Sequence, residues 1–234
     1  MNRLRHDLFD KDVLTFDCYG TLIDWEAGIL DVLGPMLSSR GIIIEPDALL
    51  ALYAELEAEE ESGPYKPYRD VLAGVMDGIG KRLGFSPTES ERWSLVDSVP
   101  SWLPFPDTVE ALRQLKARYK LAIISNIDDD LITKTQERLQ VPFDWVITAQ
   151  QALSYKPSQN NFRLAIERID LPPERILHVA QSIYHDVIPA REMGIATVWV
   201  NRRQGRPGTG ATPPAEGRPD LEVPDLKTLA ELAI

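Results

Sequence analysis

Five short apolar runs recur along the chain, and each stops at polar or small residues. Val13–Phe16 ends at Asp17 and a Gly20-Thr21 turn, 121–124 at Ser125-Asn126, Trp145–Thr148 at Ala149-Gln150, 176–179 at Ala180-Gln181, and Ala196–Val200 at Asn201. Runs of this length, rich in β-branched residues and bounded by turn formers, read as buried strands. Between them lie stretches with the helical period: 107–117, opened by a D-x-x-E capping box (Asp107, Glu110), then Asp129–Leu139, 158–169 and 185–193. Strands alternating with amphipathic helices predict an α/β fold, a Rossmann-like, doubly wound parallel sheet with helices on both faces. Ligands bind such sheets at the carboxyl ends of the strands, where the polar residues just named fall.

Residues 25–99 break the alternation and read as helix after helix. Leu49, Leu50, Leu52, Tyr53 and Leu56 form one apolar face, and Val71, Leu72, Val75, Met76, Ile79 and Leu83 form another, both near the 3.6 period. The loop Gly63-Pro64-Tyr65-Lys66-Pro67 separates them. The expected organisation is a core of 1–24 and 100–234 with a helical cap of 25–99, hinged at 23–26 and 99–106. Residues 203–219, rich in Gly, Pro and Thr, read as a mobile surface loop without the G-K-[ST] of a phosphate loop.

Composition narrows the function. A hydrophobic content of 44% in 234 residues supports a sizeable core. A formal net charge of -11 argues against nucleic acid as a partner, because phosphate binding needs a basic surface. The single cysteine, Cys18, excludes an internal disulfide and is expected as a small buried filler beside Asp17. The charged start MNRLRHDLFDKD lacks a signal-peptide core, and nowhere do 18 apolar residues run together, so no membrane partner and a cytoplasmic location are expected. The apolar cap faces allow a homodimer, though the monomer can equally satisfy them.

Four constellations carry chemistry: Phe16-Asp17-Cys18-Tyr19-Gly20-Thr21, with a carboxylate leaving a buried strand; Ser125-Asn126 at a second strand end; Ser154-Tyr155-Lys156-Pro157; and His185-Asp186 after the fourth run. In this order they resemble the haloacid dehalogenase superfamily across nearly the whole chain, and most closely the type II L-2-haloacid dehalogenases and their near relatives. Superfamily phosphatases, as the resemblance implies, bind Mg²⁺ through the nucleophilic Asp and fourth-motif acids, and carry a second Asp two residues after the nucleophile. Here that position is Tyr19, and Ala180, Gln181 and Ser182 leave Asp186 alone in the fourth motif. Mg²⁺ wants near-octahedral oxygen ligands and usually relies on carboxylates to offset its charge; the site offers Asp17 and Asp186, so strong Mg²⁺ binding is disfavoured and no metal and no cofactor are expected.

The resemblance then implies a small-molecule carboxylate substrate and a catalytic set of Asp17, Lys156 and Asp186. Asp17 would attack C2 of a 2-haloacid, expel halide and form an ester that water cleaves. Lys156 would keep Asp17 ionised, and Asp186 would position or deprotonate the water, or anchor Lys156. Tyr19, Thr21, Ser125, Asn126, Ser182 and His185 are the expected substrate-binding groups. The relatives' cap arginine is missing: its expected position lies in 51–57, where no arginine stands, and Arg69 and Lys66 are the nearest replacements. That neighbourhood carries Glu55, Glu57, Glu59, Glu60 and Glu61, expected as a solvated helix face. Three other functions fit the same residues: opening of azetidine-2-carboxylate, favoured by an acidic cap; Mg²⁺-dependent phosphatase action; and a catalytically weak binding module.

Overall fold

The structure, a computed structural model, describes residues 8–234. Its centre is a sheet of six parallel strands, β1 (Val13–Phe16), β2 (Lys120–Ser125), β3 (Trp145–Thr148), β4 (Ile176–Ala180), β5 (Ala196–Val200) and β6 (Leu221–Val223). They lie in the order β3-β2-β1-β4-β5-β6, which places β1 between β2 and β4. In register, Phe16 stands beside Ile123 on one side and Val179 on the other. Asp17, Ser125 and the residues after Ala180 therefore emerge together at the carboxyl edge. Successive side chains alternate between faces. Leu14 and Phe16 enter the larger hydrophobic cluster, whereas Val13 joins Ala122, Ile124 and Phe162 on the opposite face.

β6 has no counterpart in the expected strands. Leu-Glu-Val is too short to form an apolar run, and its strand conformation comes from pairing with β5, Val198 beside Leu221 and Val200 beside Val223. The predicted capping box at Asp107 also does not form. Asp107 accepts both Arg202 Nη1 contacts at 2.8 and 2.9 Å and the Leu226 amide at 2.7 Å. With both oxygens taken by the Arg202 guanidinium and the Leu226 amide, the Asp107 side chain makes no cap bond to its own helix, and these contacts tie the start of the Thr108–Lys116 helix to the C-terminal Leu226–Ala233 helix. The expected 185–193 helix divides into a wide turn, Ile183–Val187, and a short helix, Ile188–Glu192.

Four helices fill the insertion: α1 (Trp25–Ser39), α2 (Pro46–Glu61), α3 (Tyr68–Leu83) and α4 (Glu89–Ser98). Local chemistry sets their ends. Pro46 opens α2 without needing an amide partner, Gly84 ends α3 at φ 83°, and Thr88 with Glu91 forms a reciprocal cap on α4. Trp102, at the expected second hinge, packs against Gly28 so closely that a Cβ there would lie 2.3 Å from the indole. The loop 203–219 is anchored rather than free. Buried Arg203 gives Nη1 to Glu26 and Nη2 to Asp47, each at 2.7 Å, and Ala211 N donates to Glu26 at 3.1 Å. Its arginine thus joins the exit of β5 to α1 and α2. Among the described residues no helix is long and apolar enough to cross a membrane.

Candidate active site

β1 delivers Asp17 to the carboxyl edge of the sheet, where its amide still bonds Val179 O at 3.1 Å. The chain then turns through Gly20 at φ 91°, in contact with the Trp25 indole, a conformation that disfavours a side chain. The turn returns Thr21 to the carboxylate: its hydroxyl donates to Asp17 Oδ2 at 2.7 Å and accepts from Gln181 N at 2.8 Å.

Lys156 meets Asp17 from the other side. Its ammonium is 1% exposed and donates to Asp17 Oδ1 at 2.9 Å, Asp186 Oδ1 at 2.6 Å and Ile124 O at 2.9 Å, which uses all three of its hydrogens. Asn126 fixes the lysine's backbone, accepting from Lys156 N at 2.7 Å and donating to Lys156 O at 3.1 Å. Asp186 Oδ1 also meets His178 Nε2 at 2.9 Å, and His178 Nδ1 meets the Thr15 hydroxyl at 2.8 Å. Among the described residues, Asp186 Oδ2 is buried without a partner, as is Ser125 Oγ.

Burial alone would lower the Lys156 pKa, yet the flanking carboxylates outweigh it and hold the ammonium charged. Burial raises Asp186 less than Lys156 and His178 lower it, leaving it at about 2. Burial and the neighbouring Asp186 push Asp17 upward, with Lys156 opposing. Burial also depresses His185 to about 4, so the imidazole is neutral at pH 7. The ammonium stands between the two carboxylates that Mg²⁺ would need. Its charge offsets theirs, and among the described residues no group of three or more His, Cys, Asp or Glu side chains is placed to hold a metal ion, so this donor set does not fit one.

Asp17, Tyr19, Ser125, Asn126, Lys156, Ser182, His185 and Asp186 line one cavity of about 30 Å³, together with Trp25, Glu57, Glu61, Tyr68, Gln181 and Thr212. Tyr19 is positioned by a 2.7 Å bond to Thr135, and Ser182 by accepting the His185 amide at 2.9 Å. Two expected binding residues lie elsewhere. Thr21 is fully buried beneath Asp17 and orients the nucleophile rather than lining the cavity. Arg69 is 41% exposed and forks onto Asp130 and Asp128, because those carboxylates at the start of the Asp129–Leu139 helix are nearer than the cleft. Lys66 pairs with Glu60 outside the cavity.

The acidic helix face also needs correction, since two of its five glutamates point inward. Glu57 is 4% exposed and accepts from Tyr53 and Tyr68 hydroxyls at 3.0 and 2.6 Å, while Glu61 receives Asn126 Nδ2 at 3.4 Å on both oxygens. The signal was present: Tyr53, on the apolar face, Glu57 and Glu61 are spaced i, i+4, i+8. His178 was likewise readable as a lone polar residue within the β4 run. Gln181 directly follows β4 and falls at a strand end that the sequence marks, whereas Thr212 was not readable, since only the anchored loop brings it here.

Burial lifts Glu57 to about 7, against Tyr68 and Tyr53, which lower it. Above the unfolded carboxyl range and up to about pH 7, the folded state therefore holds more protons than the unfolded one, so this group's contribution to stability declines as pH rises. Glu57→Gln is expected to stabilise the protein at pH 8 by up to about 3 kcal/mol, and far less at pH 5. Thermal unfolding at the two pH values checks this; a pH-independent difference would contradict the assignment.

A protein-family model described as haloacid dehalogenase-like hydrolase matches residues 11–194. The chain belongs to this family. The haloacid dehalogenase-like chain is 28% identical over 198 residues to an (S)-2-haloacid dehalogenase of Pseudomonas fluorescens, covering 81% of this chain and 84% of that one. An (S)-2-haloacid dehalogenase of Pseudomonas sp. strain YL is 28% identical over 228 residues, covering 94% and 93%. The L-2-haloacid dehalogenase of Xanthobacter autotrophicus, solved with chloropropionic acid covalently bound, superposes with a TM-score of 0.78 at 23% identity, covering 95% and 98%. That likeness establishes the shared fold.

Proposed function

We propose that this haloacid dehalogenase-like hydrolase converts a short 2-haloalkanoic acid to the 2-hydroxyacid and halide through an ester on Asp17. The observation that carries the reading is the buried Asp17–Lys156–Asp186 arrangement: a carboxylate facing a small cavity, with a lysine ammonium at 2.9 Å balancing its charge. The relatives named as (S)-2-haloacid dehalogenases support the same choice.

In this reading Asp17 attacks C2 in line with the carbon–halogen bond, and the halide leaves with the bonding pair. Lys156 holds the attacking carboxylate ionised and aimed, and Thr21 fixes the second oxygen. Ser125 Oγ, without a protein partner, donates to the substrate. Water then adds to Cγ of Asp17 and gives a proton to Asp186 Oδ2, an oxygen with no partner among the described residues. The ester bond from Cγ to that Asp17 oxygen then breaks, the 2-hydroxyacid leaves with the oxygen and takes the proton back from Asp186, and the water oxygen stays in the Asp17 carboxyl group, which releases its remaining proton to solvent. Residues 25–99 serve as a cap on hinges at 23–26 and 99–106. The cavity, about 30 Å³, holds a water or two, so substrate enters as the cap lifts and loses its hydration as the cap returns. Alignment in such a closed site contributes up to about 7–11 kcal/mol.

Multiple turnovers of 2-chloropropanoate in ¹⁸O-water, followed by mass spectrometry of the Asp17 peptide, test the ester. Label entering Asp17 is the expected result. An unlabelled peptide after many turnovers would remove the covalent route.

A further inference from the structure

The roof of the cleft has the wrong charge for an ordinary haloacid anion. Glu57 and Glu61 lie one turn apart on α2, and both line the cavity that holds Asp17 and Asp186. Carboxylates at i and i+4 repel each other. Lys156, the lysine in the same wall, has already given its three hydrogens to Asp17, Asp186 and Ile124 O. Arg69 and Lys66, the nearest cap cations in sequence, are engaged by Asp128, Asp130 and Glu60.

The groups that contact the two glutamates are donors. Tyr53 and Tyr68 both give hydroxyl hydrogens to Glu57 Oε1, and Asn126 gives its amide to Glu61. Donors favour the ionised, acceptor-only form of a carboxyl group. These donors favour the charged forms that burial opposes, so a cation seated between the two carboxyls would complete both. Ser125 Oγ independently points to a ligand: it is fully buried, faces the same cavity and has no partner.

We infer that the 2-haloacid turned over here carries a protonated amine, so that its ammonium seats between Glu57 and Glu61 while its carboxylate takes the Ser125 hydroxyl. This rests on the dehalogenase reading of Asp17. A zwitterion brings no net charge into an acidic cleft, whereas a simple haloacid adds a further anion beside four carboxyl groups. Burial raises the Glu57 and Glu61 pKa values in the empty cleft, and an ammonium within ~4–6 Å reverses that by favouring their charged forms.

Two measurements separate the inference from the reading beneath it. Calorimetry of the whole protein with unreactive 3-aminopropanoate and propanoate is expected to show the zwitterion bound at least about tenfold tighter, the worth of a charged hydrogen bond. Glu61→Gln is expected to remove most of that advantage. Equal affinities, or no detectable binding of the zwitterion, overturn the inference, and the wild-type comparison alone decides if the variant does not fold. Chloride release from 3-amino-2-chloropropanoate and 2-chloropropanoate forms the second arm, with a higher kcat/KM expected for the former. If 2-chloropropanoate reacts equally well or better, the ammonium site falls and dehalogenation stands. If neither releases chloride while 3-aminopropanoate still binds tighter, dehalogenation fails and the ammonium site stands.

Discussion

Asp17→Asn is expected to lower halide release by at least about four orders of magnitude, the scale of losing a nucleophile that acts as part of a unit. The amide keeps the shape of the carboxylate, and its oxygen can still accept from Lys156 Nζ, now 2.9 Å from Asp17 Oδ1. It offers no anionic oxygen to carbon, and an ester cannot form. The substitution also removes one of two negative charges around a single buried ammonium. Burial already pushes the Asp17 pKa upward, so folding stability should hold or rise. Halide release with thermal unfolding of the same sample checks both outcomes, and mass spectrometry confirms that the Asn has not deamidated. Residual turnover within tenfold of wild type would mean that another group attacks the substrate.

Lys156→Met should damage stability and activity together. Removing one partner of a buried ionic cluster costs about 3–5 kcal/mol, since the remaining charges lose their compensation without regaining water. Asp17 and Asp186 would then share a dry site with His178 alone beside Asp186, and one carboxyl would take up a proton. Asp186 keeps its histidine, so the proton falls on Asp17. With the lysine gone, burial acts on Asp17 unopposed and pushes its pKa further upward, and activity near neutrality should fall by about two to four orders of magnitude, the scale of losing a unit of the catalytic set. It should partly recover as pH rises and Asp17 ionises. Urea unfolding gives the first quantity and a pH profile of halide release the second. A variant as stable as wild type, with an unchanged profile, would show that Lys156 does not hold Asp17 charged.

These outcomes concern residues of very different legibility. Asp17, Ser125, Asn126 and Asp186 were readable because each follows a short apolar run, and in a parallel sheet the ends of such runs converge on one edge. Lys156 lies on no strand and was assigned by resemblance; its position depends on Asn126 gripping its backbone from across the sheet edge. His178 was readable as a lone polar residue in a buried strand, but its partners were not, since they depend on β1 pairing beside β4 and on the turn that brings Asp186 back to the ring.

The cap shows the same division. Helical periodicity located its elements and its two apolar faces, but a run of glutamates on paper reads as a solvent-facing surface. The packing of α2 over the sheet edge carried Glu57 and Glu61 inward with Tyr53, while Arg69 was drawn away by Asp128 and Asp130.

Local patterning, then, was enough to determine the elements, their alternation and the strand ends at which chemistry gathers, because hydrophobic period and turn chemistry act over a few residues. Tertiary structure alone decided which charges face one another in the cleft. Electrostatic partnership depends on through-space distances of a few ångströms between residues as far apart in the chain as Asp17 and Lys156, and those distances exist only once the sheet, cap and anchored loop have packed.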